Sequence, residues 1–434
     1  MSSPARAGAD AGADAARASA GFASTSLYPE RSGKARAFEA ETVTSFETSK
    51  TEATRDAYLD NAKYWLILIV VWNHSLQDFL RAVDRYELRE WCEGDSVNVV
   101  THQHVRTVYL ALNAIGMPLF TAISGYCSRG WLRAAREDEA TASHLLSRVR
   151  RASSSLVGTF VGWQLFYMTV LYYDVTPAQF WAPIGITWYL LALFMWRMSI
   201  LVLGALKDRY ILAFSVFMGL FVGFTDTAAT ASGEYFLEIQ RIFAYSPYFF
   251  FGLLVVKPKH LERLHDTPYT RRAPQGFVTL VVTYALLYVG MYATGTKCFD
   301  EAQRFIWTVD PYSTSAIYSP ILGLLYRILL YTATCVVGAA FMAIIPTESQ
   351  MYTALGQRTL YCYLLHILLL RGYDKLMRWT WDDAPLSFRI IASALWLPLI
   401  VSHLTLSPYM NVFKCVVEPE FGALWRSSRT KSPL

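Results

Sequence analysis

Charge is scarce. Asp, Glu, Lys and Arg make up 17% of the 434 residues, against roughly 25% in soluble domains. A chain this poor in charge and 54% hydrophobic cannot cover itself with a solvated surface, which excludes an ordinary soluble domain and points to a lipid bilayer. The net charge of +5 is spread over separate loops instead of one continuous patch, so nucleic acid is not an expected partner. Cysteine is equally sparse. The six cysteines contain no C-x-x-C pair, and His102, His104, His144, His260, His265 and His403 show no ligand spacing, so no metal site is expected. Cys92 and Cys298 fall in two loops expected on the same face, where a disulfide is sterically open to them. No cleavable apolar signal core and no retrieval motif is present. No repeat relates residues 55–225 to 240–406.

Hydrophobic segments and aromatic residues are plentiful. The chain has 27 Tyr, 25 Phe and 13 Trp, side chains that suit helix ends among lipid headgroups. A helix needs about 20 mostly apolar residues to cross a bilayer. Segments near 62–80, 105–127, 154–173, 185–206, 209–225, 240–256, 276–294, 321–345, 356–371 and 388–406 approach that length. The expected fold is therefore all-α, a polytopic bundle of about ten transmembrane helices. With residues 1–63 assigned to the cytoplasm and the helices alternating, 26 Lys and Arg fall on the cytoplasmic side and 8 on the other. That asymmetry predicts cytoplasmic N- and C-termini. Residues 1–54, rich in Ala, Ser, Gly, Thr, Arg and Glu, read as a disordered cytoplasmic tail. A transit peptide is the alternative, with Asp10 and Asp14 against it. Residues 55–410 form the membrane domain, and 411–434 a short cytoplasmic tail.

The first of these segments carries the most chemistry. Lys63 and His74 are eleven residues apart, which at about 100° per residue is only about 20° more than three full turns. They share one helix face, separated by about 16 Å along the axis, so a Lys at the cytoplasmic headgroups puts the His near mid-membrane. An ionisable group there is costly and by default functional. The plainer alternative is a core histidine satisfied by neighbouring helices. Asn73-His74-Ser75 matches a glycosylation sequon but lies inside the helix.

Leu59-Asp60-Asn61-Ala62-Lys63, followed by an apolar run ending in His74, resembles the opening of the acyltransferase 3 family, integral membrane O-acyltransferases that modify polysaccharides and related glycans. The resemblance continues in order along the chain. Phe120-Thr-Ala-Ile-Ser124-Gly125-Tyr126 is similar to a Ser-Gly-aromatic element, followed by a basic loop with Arg129 and Arg133. Ile186-Thr-Trp188-Tyr-Leu-Leu resembles a Trp-aromatic-Leu segment. Arg241 with Ser246-Pro247-Tyr-Phe-Phe-Phe-Gly252 resembles a Pro-Phe-Phe-x-x-Gly helix, and Gly356-Gln-Arg-Thr-Leu-Tyr-Cys-Tyr-Leu-Leu-His366 the penultimate helix. Tyr64-Trp65 departs from the small residue common after the Lys, and Arg129 and Arg133 depart from the usual spacing.

The resemblance implies an acyltransferase, here expected to be an O-acetyltransferase. It would use acyl-CoA, probed most simply as acetyl-CoA, as donor substrate with no tightly bound cofactor, and a hydroxyl of a glycan or glycolipid as acceptor. Attack of a hydroxyl on a thioester needs a base, and histidine titrates near working pH. His74 is assigned as that base or as a transient acyl acceptor. Arg241 and Arg327 are the other catalytic candidates. Lys63, Ser124, Arg129 and Arg133 are the candidates for the donor, and Asn73, Trp188, Arg197 and His366 for the substrate. Positive-inside topology alone also accounts for Arg129 and Arg133, and packing for His366. Arg197 and Arg327 are expected to line an aqueous cavity, whereas Arg371 and Arg389 are expected to snorkel. The competing function is a polytopic transporter or exporter of a small polar solute, and a third is a catalytically dead receptor or scaffold. Plasma membrane or Golgi is the expected location in a eukaryote. Acceptor identity, acyl length and oligomeric state are not legible.

Overall fold

Helix is the only regular structure among the described residues, which in the computed structural model are 56–85, 96–137, 142–171, 180–225, 236–294, 296–308, 310–314, 319–378, 388 and 391–418. A helix satisfies its backbone polar groups within one segment, which an apolar environment requires. The tail expected over 1–54, Cys92 of the expected disulfide and Arg389 lie outside the described residues.

Helix α1 (Ala57–Arg85) runs through the middle of the bundle and packs against α2 (Ser96–Cys127), α13 (Thr359–Arg378) and α14 (Leu397–Leu406). Its apolar face is consumed in that packing: Leu66, Ile67, Val70 and Val71 are all buried. After α2 come the short basic helix α3 (Arg129–Arg136), then α4 (Ala142–Ala152), which continues through a π-helical stretch, Ser153–Gly158, into α5 (Thr159–Leu171). The next helices are α6 (Trp188–Leu203), α7 (Asp208–Phe221) and α8 (Ile239–Leu254), followed by α9 (Pro258–Asp266), bent 72° from the segment before it. Helices α10 (Tyr269–Thr294), α11 (Thr296–Trp307) and α12 (Pro320–Ile344) precede α13. Each of the ten apolar segments read from the sequence contains a helix, with turns or irregular residues at the ends of some, such as 185–187 and 255–256.

Three helical stretches, Gln103–Arg136, Tyr269–Ala293 and Pro320–Ile344, are long and apolar enough to cross a membrane, and four if the bent α8–α9 pair is one span. On α10, Leu286 and Tyr292 are about 70% exposed, and on α12 Ile321 is 69% exposed. Meanwhile Asn61, Gln164, Arg327 and His366 are buried. Apolar outside and polar inside is the arrangement a bilayer selects.

Two close approaches set the helix geometry. A Cβ on Gly125 of α2 would sit 1.9 Å from the Phe249 carbonyl oxygen of α8, and one on Gly252 of α8 would sit 1.8 Å from the Ala122 carbonyl oxygen of α2. Only glycine at both positions lets the two backbones meet. The Ser-Gly-aromatic and Pro-Phe-Phe-x-x-Gly elements are thus two halves of one contact. The second approach joins Gly356 to the Asp60 carbonyl oxygen, where a Cβ would be 1.9 Å away. Beside it the Asn61 side chain donates to the carbonyls of Pro346 and Glu348 and accepts from the Thr353 hydroxyl. The Asp-Asn pair of the opening motif therefore pins the α12–α13 connection to α1. Tyr64 and Trp65 belong to the same junction. Tyr64 stacks on Tyr352 at 4.5 Å and hydrogen-bonds His403, and the Trp65 indole donates to the Tyr352 hydroxyl. Residues 411–418 also join the bundle, with Val417 buried and the Val416 carbonyl accepting from Trp163.

Candidate functional site

A cavity of about 300 Å³ lies in the half of the bundle away from Lys63, lined among others by Asn73, His74, Gln77 and Asp78 of α1 and by Trp188, Glu238, Arg241, Tyr245 and Arg371. Asn113 and Gly116 of α2 line a further wall, and residues 184–186 before α6 another. Gln164 folds that last wall. Its amide nitrogen donates to the carbonyls of Phe180 and Ala182, and its oxygen accepts from the Ile184 amide and the Thr187 hydroxyl. Gly185, with φ of 59°, supplies a left-handed turn that a side chain would resist.

His74 sits in this cavity with its Nδ1 3.3 Å from Gln77 Oε1. That contact holds the imidazole ring against the next turn of the same helix. The His366 ring packs 5.3 Å from the His74 ring. His366 is fully buried, its Nδ1 donates to the Cys362 carbonyl at 2.8 Å, and its Nε2 has no hydrogen-bond partner. Asn73, beside His74, lines the cavity while its amide donates to the Tyr109 carbonyl.

Arg241, at the start of α8, is held on three sides. Its Nε donates to the Trp307 carbonyl at 3.0 Å, Nη1 lies 3.4 Å from Glu238, and the guanidinium sits 4.9 Å from the centre of the Trp188 ring. Glu238 precedes the helix in a left-handed conformation, φ 53°. Burial pushes its carboxyl above the ordinary glutamate range, Arg241 pulls it back, and Asp310 pushes it up further. Asp78 and Arg371 form a second pair at 3.9 Å on the cavity lining. Arg371, expected to snorkel, thus has an acidic partner on a neighbouring helix. Gln77 and Asp78, three and four residues after His74, share its helix face, and Asp78 is one of few acidic residues in the apolar segments; Glu238, Asn113 and Tyr245 had no signal in the sequence, since isolated polar residues from other segments show no spacing to it.

The remaining candidates lie elsewhere. Lys63 is partly buried and paired with Asp60 at 3.2 Å on the same helix. Ser124 accepts a hydrogen bond from the Tyr189 hydroxyl at 2.7 Å, and Arg197 donates at 3.3 Å to Ser128, the residue just past the end of α2. Arg197 is thus packed beside the Ser124 region and does not line the cavity around His74. Arg129 donates to the carbonyls of Leu253 and Val256 and stacks on Tyr126 at 4.4 Å. It closes the carboxyl end of α8, where carbonyls lack helical partners. Arg133 is exposed. Arg327 is 1% exposed and also stands outside the lining of the cavity. Phe305 and Tyr312, 5.0 and 5.4 Å from its guanidinium, wall it in, and its Nε and Nη1 have no hydrogen-bond partner. Among the described residues no three His, Cys, Asp or Glu side chains cluster to hold a metal.

A basic nitrogen, a fixed guanidinium and several amide and carboxylate groups around one cavity suit proton transfer next to a polarised carbonyl. The family profile for an acyltransferase domain matches residues 56–406. No curated protein and no solved structure matches the chain significantly.

Proposed function

The chain belongs to the acyltransferase 3 family, an integral membrane acyltransferase, and on that premise we propose that it moves an acyl group, acetyl in the simplest case, from acyl-CoA to a hydroxyl of a carbohydrate acceptor. The observation that carries this reading is His74, which lines one cavity together with Arg241. His74 removes the proton as the acceptor oxygen attacks the thioester carbonyl, the carbon–sulfur bond breaks, and the proton passes from His74 to the departing thiolate. Arg241 supplies positive charge where the carbonyl oxygen becomes negative. Gln77, Asp78, Asn113 and Glu238 offer the hydrogen bonds that a sugar needs.

The donor enters from the cytoplasmic side in this reading. Its phosphates meet Lys63 and the exposed Arg133, whereas Arg129 is already committed to the end of α8. Leu66, Ile67, Val70 and Val71 are packed along α1 between Lys63 and His74, so the pantetheine arm must part these side chains or pass beside them. The transporter reading accounts for buried polar groups, but the family match over residues 56–406 favours acyl transfer. Membranes containing the protein, given labelled acetyl-CoA and a glycan acceptor, should incorporate label, and His74→Ala should abolish it. A folded His74→Ala protein that transfers at the wild-type rate would sink the assignment.

A further inference from the structure

Three tyrosines line the cavity, Tyr167, Tyr245 and Tyr363. Two are committed: the Tyr167 hydroxyl donates to the Leu364 carbonyl and the Tyr363 hydroxyl to the Ile186 carbonyl. The third is different. Tyr245 is only 6% exposed, yet its hydroxyl makes no hydrogen bond among the described residues and is absent from the atoms sealed off without a partner. A phenol oxygen that is accessible on a buried side chain lining a cavity opens onto that cavity. Its ring is fixed, with Trp188 at 5.2 Å and Tyr248 at 5.6 Å. Tyr245 lies four residues after Arg241, hence on the same face of α8. Both Arg241 and Arg327 bear on it electrostatically. The helix thus presents a charged donor and a neutral donor across the cavity from His74 on α1.

We infer that the Tyr245 hydroxyl is a catalytic hydrogen-bond donor to the thioester carbonyl oxygen, forming with Arg241 the site that receives negative charge during acyl transfer. The inference rests on the acyltransferase reading and deepens it. As the acceptor oxygen bonds to the carbonyl carbon, its proton goes to His74 and the carbonyl π pair moves onto oxygen, where the Tyr245 O–H meets it. The pair returns to the carbonyl as the carbon–sulfur bond breaks, and the thiolate takes the proton from His74. Tyr245 keeps its own proton throughout. Arg327, buried outside the lining with two nitrogens lacking partners among the described residues, adds positive field at Tyr245 without touching substrate.

The test is Tyr245→Phe in the full-length protein, which keeps the ring packing and deletes one oxygen. Removing one such donor costs about 10²–10³-fold in kcat, so turnover should fall by that factor with KM for acetyl-CoA and acceptor within about twofold. A second measurement separates this from general damage. With a dithioester analogue of acetyl-CoA, in which sulfur replaces the carbonyl oxygen and accepts hydrogen bonds weakly, the wild-type rate should drop far more than the variant rate. Wild-type turnover retained by Tyr245→Phe, or an equal dithioester effect in both proteins, would overturn the role of the hydroxyl and leave the acyltransferase reading standing. A wild-type protein that transfers no acyl group would overturn both.

Discussion

At the scale of single residues, the site separates groups that touch the chemistry from groups that only resemble them in sequence. His74→Ala should lower turnover by about 10²–10⁴-fold, the usual contribution of a general base, at saturating donor and with the fold intact. Lys63→Ala should instead raise the donor concentration needed, by an amount corresponding to about 1.5–3 kcal/mol for a lost charge-assisted contact, with turnover recoverable. Steady-state kinetics on both variants distinguishes the two losses. Glu238 makes a pH prediction. Its carboxyl titrates above the ordinary glutamate range because it is buried, with Arg241 only partly opposing. The folded state therefore favours the protonated acid, so this contribution to stability is full below the unfolded pKa and is lost as pH rises through the folded one. Thermal unfolding across weakly acidic pH should show that decline in the wild type and not in Glu238→Gln. A decline of equal size in both would assign it to other groups.

At the scale of elements, the crossing of α2 and α8 deserves the first experiment because it carries the walls of the site on both helices. Gly125→Ala and Gly252→Ala each place a carbon within 2 Å of a carbonyl oxygen that belongs to the opposite backbone, so the helices must separate. Overpacking typically costs about 1–3 kcal/mol, and rigid backbone on both sides puts these substitutions at the upper end. The double variant should cost less than the sum, since one separation relieves both clashes. Melting temperatures of the three variants would check this, and strict additivity would show the two contacts to be independent. Asn113 and Gly116 of α2 and Arg241 of α8 line the cavity, so a loss of turnover should accompany the loss of stability.

At the scale of the whole molecule, the distribution of Lys and Arg predicts ten crossings with both termini in the cytoplasm. Cysteines introduced singly should react with an impermeant reagent from outside when placed in 226–239 and be protected in 257–275. The reverse pattern would put Lys63 on the wrong side for a cytosolic donor. The ten segments differ in how they meet that expectation. Helices α10 and α12 have the length and mean apolarity of membrane spans. By contrast α1 carries Asp60, Lys63, His74 and Asp78 along 29 residues and lies inside the bundle, where neighbouring helices and not lipid surround it.

The sequence by itself determined the class of the molecule: helical, membrane-embedded, with Lys63 and His74 on one face of one helix and acyltransferase elements in order. These follow from local facts, since helix length depends on apolar runs and a shared face on a count of residues between two positions. The same local view could not say what the elements are for. Ser124-Gly125 and Pro247 to Gly252 read as elements of a family pattern, and the tertiary structure shows their glycines holding two backbones together. Arg129 read as a phosphate ligand, and it also closes a helix end; Arg371 read as a snorkelling residue, and it pairs with Asp78. Only the fold brings Glu238, Arg241, Tyr245 and His366 around or against His74, because they come from two other helices and the residue preceding one of them. Which of a buried helix's polar groups faces a cavity is settled by the neighbours that fill the other directions, and those neighbours are distant in the chain.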